Sequence, residues 1–244
     1  MNAKAESTRG YSRRDVLKLS GAMAAWGAVG GIELGSGTAA AAFTKNQRDN
    51  WTPDEILAAM KKGNERFRQG KLAPQDFLAQ QRATAGAQYP DAVLLSCIDS
   101  RAPAEIILDL GIGDIFNCRV AGAVDNPDIL GSIEYGCKVA GAKVVLVMGH
   151  TNCGAVKGAI DGEELGNLTG LLAKIKPAIA ATTYVGDRTT KNPAFVNAVC
   201  RRNVELVVDG IPKRSPVLAE MAAAHTIRIA GALYHLDTGT VEFL

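Results

Sequence analysis

Apolar positions along this chain follow two different spacings. In Lys143-Val144-Val145-Leu146-Val147-Met148-Gly149 everything after the lysine is apolar and β-branched valine recurs, the mark of a strand buried on both faces. Asp91-Ala92-Val93-Leu94-Leu95-Ser96-Cys97 has the same character, and residues 114–119 read as a third short strand. Helical spacing fills the intervals. Thr52-Pro53-Asp54-Glu55 supplies a cap, a proline suited to the first turn and a capping box. Ile56, Met60 and Phe67 then share roughly one face, and Gly70 ends the segment. Further helices are expected over 74–83, 102–110, 126–140, 153–160, 168–182, 193–209 and 216–224. Residues 226–236 and 240–244 flank Asp237-Thr238-Gly239 and predict a terminal hairpin. Strands alternating with helices point to one α/β domain with a mostly parallel central sheet flanked by helices.

Residues 1–42 depart from that pattern. Ser12-Arg13-Arg14-Asp15-Val16-Leu17-Lys18 precedes an Ala- and Gly-rich apolar stretch, which ends in small residues with several A-x-A-like cleavage registers. The segment resembles a twin-arginine export signal, with Val16 where Phe is more usual. Gly27, Gly30, Gly31, Gly35, Gly37 and Glu33 make it a poor spanning helix. The chain therefore divides into a signal over 1–42 and a folded domain over 43–244, with no membrane anchor expected once the signal is removed. The periplasm is the first expectation for its compartment, with a thylakoid lumen or the cell exterior as alternatives.

Composition narrows the function. Of 244 residues, 47% are hydrophobic, enough for a sizeable core. The formal net charge is +2. Residues 1–42 contain five basic groups and three acidic ones, so the remainder is formally neutral. That balance, with no Lys/Arg-rich block, argues against nucleic acid as a partner and suits a small molecule. Five cysteines are too few, at this length, for a disulfide scaffold.

Two stretches carry reactive side chains directly after strands. Cys97-Ile98-Asp99-Ser100-Arg101 ends the first and His150-Thr151-Asn152-Cys153-Gly154 follows the 143–149 run. Ligands in open α/β sheets sit beyond the carboxyl ends of strands, so both stretches can line one crevice. Taken singly, a cysteine is more often a small buried hydrophobe than a ligand. Together, Cys97, His150 and Cys153 form a set that Zn2+ takes tetrahedrally, leaving one position for water. A fourth ligand from Asp99 would close the site instead. Cys118, Cys137, Cys200, His225 and His235 lack such partners and read as structural.

The pair Cys97-x-Asp99-Ser100-Arg101 and His150-x-x-Cys153-Gly154, about fifty residues apart, resembles the β-class carbonic anhydrase family over nearly all of residues 50–244. The resemblance implies one α/β domain, a homodimer or larger homo-oligomer with N-terminal helices packing on the partner, and Zn2+ on Cys97, His150 and Cys153. It further implies reversible hydration of CO2 to bicarbonate by a zinc-activated hydroxide, oriented by Asp99, which Arg101 holds. One subgroup has a substrate-binding Gln nine residues before the first cysteine, which is Gln88 here. Another has a Trp three residues before it, and that position is Leu94. The open form is therefore expected, with Gln88 and Gly154 on the substrate side. Hydrolysis of carbonyl sulfide at the same site, or a non-catalytic zinc protein, are the alternative readings.

Overall fold

Side-chain caps set the helix starts in the first part of the computed structural model, which describes residues 44–244. The leader read over 1–42 lies outside the described residues. Thr44 caps α1 (Lys45–Asn50), Thr52 caps α2 (Pro53–Arg68) and Asp76 caps α3 (Phe77–Thr84). The expected capping box at Thr52 is present. Glu55 N–H donates to Thr52 Oγ1 at 3.3 Å, and the Glu55 carboxylate accepts from Thr52 N–H at 2.8 Å.

The five strands are β1 (Ala92–Ser96), β2 (Ile115–Arg119), β3 (Val144–His150), β4 (Arg228–Tyr234) and β5 (Val241–Phe243). Their order is β2-β1-β3-β4-β5, the first four parallel and β5 antiparallel to β4. β1 and β3 are buried along their whole length, so successive side chains feed opposite layers. Leu94, Leu146 and Met148 meet Ile56, Met60 and Ile107 on one face. Val93, Val145 and Val147 meet Ile133, Val204 and Ile211 on the other.

The remaining helices are α4 (Ala104–Ile107), α5 (Pro127–Glu134), α6 (Gly154–Asp161), α7 (Gly166–Ala173), α8 (Lys176–Ala181), α9 (Pro193–Arg214) and α10 (Pro216–Ala223). Several differ from the expected bounds for physical reasons. The 102–110 helix shrinks to one turn, because Asp109 takes a left-handed backbone (φ 54°) while its carboxylate pairs with Arg66 and accepts from Ala73 N–H. The 168–182 helix divides into α7 and α8, with Pro177 in the first turn of the second, where its missing N–H costs nothing. The 126–140 helix loosens after Glu134 into a π-helical turn, Tyr135–Val139. α9 runs past its expected end to Arg214 and carries Pro212 near its C-terminus.

Close contacts lock α2 onto the sheet. A Cβ on Gly63 would lie 1.9 Å from the Leu108 carbonyl oxygen, so only glycine permits that approach. Beside it, buried Asn64 donates to the carbonyls of Ile107 and Gly239 and accepts from Val241 N–H. α1 is tied to the segment that enters β3. Buried Arg48 donates to the Ala140 carbonyl, and Lys143 Nζ donates to the carbonyls of Asp49 and Trp51. No helix among the described residues is long and apolar enough to cross a membrane.

One buried acid works against the fold. Asp91, just before β1, is 4% exposed, and its Oδ1 has no hydrogen-bond partner. Burial first, and then the nearby Asp114 carboxylate, push its pKa up to about 7. A native-state pKa above the unfolded value means that the folded chain holds more protons between about pH 4 and 7. Stability should therefore fall as pH rises through that window and level off above it. Asp91→Asn should flatten the slope and raise stability at pH 8 by up to about 4 kcal/mol, with little change at pH 4. Urea unfolding of both proteins at pH 4, 6 and 8 measures this; parallel pH profiles would contradict it.

Candidate metal centre

β1 and β3 run side by side and parallel, with Ser96 opposite Met148. The chain leaves β1 directly into Cys97, while β3 ends on His150, so the two ligand candidates emerge at the same edge. β1 connects onward to β2 on one side and β3 lies on the other. The crevice between β1 and β3 is thus the switch point where open α/β sheets bind ligands. Cys153 is the N-cap residue of α6, where the helix dipole favours a thiolate. The turn between them is fixed by Thr151 N–H on the Tyr234 carbonyl (2.9 Å) and Asn152 N–H on Asn197 Oδ1 (2.9 Å).

The donor atoms of Cys97, His150 and Cys153 lie within 4.8 Å of one another, and all three residues are buried. The two sulfurs are 4.0 Å apart, close to the roughly 3.8 Å that two tetrahedral ligands at ~2.3 Å would span. His150 Nδ1 lies 2.9 Å from the Thr151 carbonyl, a contact that assigns the ring proton to Nδ1. Its Nε2 is buried with no hydrogen-bond partner. An orphaned buried lone pair costs on the order of 1–3 kcal/mol, which a metal facing it would remove. The residues fit a zinc ion.

Without an ion, the electrostatics single out Cys97 and Asp99 as the groups that ionise. The Cys97 thiol is held down to about 4 by the Cys153 thiol, against the opposing effect of burial, with further help from His150 and the Gly122 N–H. Cys153 is pushed up by the Cys97 thiolate and by burial. Burial disfavours a charged His150, but Cys97 and the Thr151 carbonyl outweigh it and raise its pKa. Asp99 accepts from Arg101 Nε (3.0 Å), Nη2 (2.8 Å) and the Arg101 backbone N–H (2.9 Å). That bidentate grip holds its carboxyl well below the usual carboxylate range. Asp99 Oδ2 also lies 3.7 Å from His150 Nε2, so the carboxylate stands over the triad while pointing at its arginine.

The other candidates separate. Gln88 is exposed on the loop before β1, and Gly154 is exposed at the first turn of α6. Neither lines the small cavity bounded by Cys97, His150, Cys153, Gly122, Cys200 and Asn203. Cys200, read as structural, forms part of that wall, and burial pushes its thiol up to about 12. Cys137 is buried away from the triad, also pushed up to about 12, and burial raises Cys118. His225 lines a separate surface groove, and His235 faces Glu242 at 3.4 Å.

Three supporting residues escaped the sequence reading. Arg119, the last residue of β2, donates to the carbonyls of Cys97 (2.9 Å) and Asp99 (2.6 Å) and so fixes the backbone that carries both side chains. Gly122 donates its N–H to Cys97 Sγ at 3.3 Å, and Asn203 donates to the Gly122 carbonyl at 2.8 Å. Only Arg119 left a signal, a charge ending a strand.

Comparison with known proteins fits this geometry. A family model described as carbonic anhydrase matches residues 92–241. Carbonic anhydrase 2 of Mycobacterium tuberculosis is 35% identical over 192 residues, covering 78% of this chain and 92% of that one. The carbonic anhydrase of Mycolicibacterium smegmatis is 35% identical over 195 residues, covering 79% and 94%. Among solved structures, a β-carbonic anhydrase of the fungal pathogen Aspergillus fumigatus superposes with a TM-score of 0.60 at 25% identity, covering 78% of this chain and 89% of that one. A tetrameric β-carbonic anhydrase of Sordaria macrospora gives 0.59 at 25% identity, covering 67% and 84%. With the buried Cys-His-Cys triad and the clamped Asp99 at its sheet switch point, the chain belongs to the β-carbonic anhydrase family.

Proposed function

We propose that this protein hydrates CO2 reversibly to bicarbonate and a proton, using a zinc ion held by Cys97, His150 and Cys153. The observation that carries this reading is the unpartnered, buried His150 Nε2 facing two thiols beneath an ionised Asp99. Zinc, when bound, polarises water and lowers its pKa toward neutrality. Two thiolates oppose that effect by neutralising the ion, so the orientation of the reacting water falls to the protein. Asp99, kept ionised by Arg101, can only accept a hydrogen bond. It therefore selects the water orientation whose free lone pair faces the carbon of CO2. Arg101 holds Asp99 on one side, and Arg119 fixes the Asp99 carbonyl on the other. Gln88 and Gly154 remain proposed substrate-side positions.

The full chain should contain about one zinc per molecule and hydrate CO2. Cys153→Ser should lose both. Asp99→Asn should keep the zinc and lose about a hundredfold or more in kcat/KM. Elemental analysis with stopped-flow hydration tests this, and a zinc-replete wild type without activity would overturn it.

The same reading makes the protein a homodimer or a larger homo-oligomer. The outer side of β2 supports this: Phe116, Pro127, Gly131 and Tyr135 border a hollow of about 600 Å3, and Tyr135 and Val139 are 52% and 72% exposed. α3 presents exposed Phe77 and Leu78 as well, an apolar face of the kind that interfaces cover. Sedimentation should give a dimer or larger, and Val139→Arg with Tyr135→Arg should shift it toward monomer. An unchanged sedimentation coefficient would argue against this surface.

We further infer that residues 1–42 direct export by the twin-arginine route and that 43–244 form the exported enzyme, most simply in a periplasm. That route carries folded proteins, so the thiols can be metal-loaded before meeting an oxidising compartment. Replacing Arg13-Arg14 by Lys-Lys should retain active enzyme inside the cell, as fractionation would show. Export undiminished by the change would contradict the assignment.

A further inference from the structure

The sulfur of Cys97 receives a hydrogen bond that no ligand motif encodes. Gly122 N–H donates to it at 3.3 Å from the turn that follows β2. That turn is strained. Gly122 (φ 73°) and Ala123 (φ 51°) both adopt left-handed backbone, which costs an alanine about 1–2 kcal/mol. A Cβ at position 122 would sit 2.7 Å from Ile175 Cδ1, so the turn packs closely against the apolar shell. Such strain persists only where surrounding contacts impose it.

The chain supplies those contacts from both sides. Val120 N–H donates to the Ser96 carbonyl at 3.0 Å and Ala123 N–H to the Val120 carbonyl at 2.9 Å. From the opposite wall Asn203, on α9 and 4% exposed, donates its Nδ2 to the Gly122 carbonyl at 2.8 Å. Without that donor, a buried carbonyl would lose its partner, and the left-handed Gly122–Ala123 backbone would lose its restraint from α9. The two peptides that meet at Gly122 would then shift together, the preceding one carrying the N–H that faces the sulfur.

We propose that Asn203 is a positioning residue for the metal centre: through the Gly122 turn it keeps an N–H on the Cys97 sulfur and limits how much charge that sulfur gives to the metal. This deepens the zinc reading above and rests on it. An N–H bond to a ligating thiolate withdraws electron density, and contacts of this kind tune a metal's Lewis acidity. With two thiolates in the set, one withdrawn share of charge matters more than in an all-nitrogen site.

The test uses the full chain loaded with Co2+, whose sulfur-to-cobalt charge-transfer band reports thiolate donation without any turnover. Asn203→Leu removes the donor, and Asn203→Ser serves the same end with a smaller polar side chain should the leucine variant fold poorly. Val207→Ala, four residues on in α9 and packed in the separate face that holds Val145 and Ile211, is the control for general loosening. Either Asn203 variant should move the band to longer wavelength and lower kcat about tenfold to a hundredfold with KM unchanged. Val207→Ala should lower the melting temperature but leave the band in place. Spectra of the Asn203 variants that superpose on wild type, or a Val207→Ala shift of equal size, would overturn the relay while leaving the metal site intact. A wild type that shows no sulfur-to-cobalt band would instead overturn the zinc reading, and the relay with it.

Discussion

Ser96 stands opposite Met148 in the parallel pairing of β1 with β3, and the whole centre depends on that register. Side chains alternate along a strand, so a slip of one residue would exchange the two faces of β1 and carry Cys97 away from His150. The register is held by burial on both faces. Leu94 and Leu146 point into one layer, Leu95 and Val147 into the other, and neither set can be exposed without losing roughly 1.5–3 kcal/mol per side chain. Apolar packing in the middle of the sheet therefore sets the distance between two polar groups at its end. It also explains why the chemistry sits beyond the strands rather than on them: within β1 and β3 no position faces water.

Around the triad the environment changes steeply over a few residues. Cys97, Cys153 and Cys200 share a shell with Val156, Ile175, Phe195 and Val199, a low-dielectric setting in which an unpaired charge is costly. Asp99 and Arg101 lie at the rim, their side chains 15% and 54% exposed, where solvent screens a salt bridge. The ion pair is therefore a poor source of stability and a good device for geometry: two side-chain bonds and one backbone bond leave Asp99 a single orientation. Polar restraint at the rim and apolar restraint beneath divide the work of holding the reacting groups.

Much of this was legible in the sequence, and the rest was hidden for a physical reason. The 143–149 run had to be a doubly buried strand, and the Thr52–Glu55 box marked its helix correctly, because both signals are local. The Cys97-x-Asp99-x-Arg101 and His150-x-x-Cys153 spacings were legible because strand ends brought each set together within a few residues. Arg119, Gly122 and Asn203 act on the same centre from 22, 25 and 106 positions away from Cys97, and no periodicity records which distant backbone a side chain will meet. Asp109 shows the same limit in the fold. Its helical surroundings predicted a longer helix, yet Arg66 and the Ala73 N–H drew it into a left-handed turn.

β1 also shows how stability and function compete along one element. At one end Asp91 is buried beside Asp114 with an unpartnered oxygen; at the other Cys97 joins a buried polar triad and meets the strained turn after β2. Each end opposes folding, since buried polar atoms without partners and left-handed non-glycine residues both raise the energy of the native state. The four fully buried apolar residues between them, Ala92 to Leu95, offset those costs, together with the layers that cover them. A metal bound at the triad would add its binding energy to the native state alone. It would relieve the orphaned His150 Nε2 and stabilise the same strand that the Asp91 end weakens. Such an ion would be a structural partner of the sheet as well as a source of chemistry, and the polar end of β1 makes sense as a site shaped for an occupant.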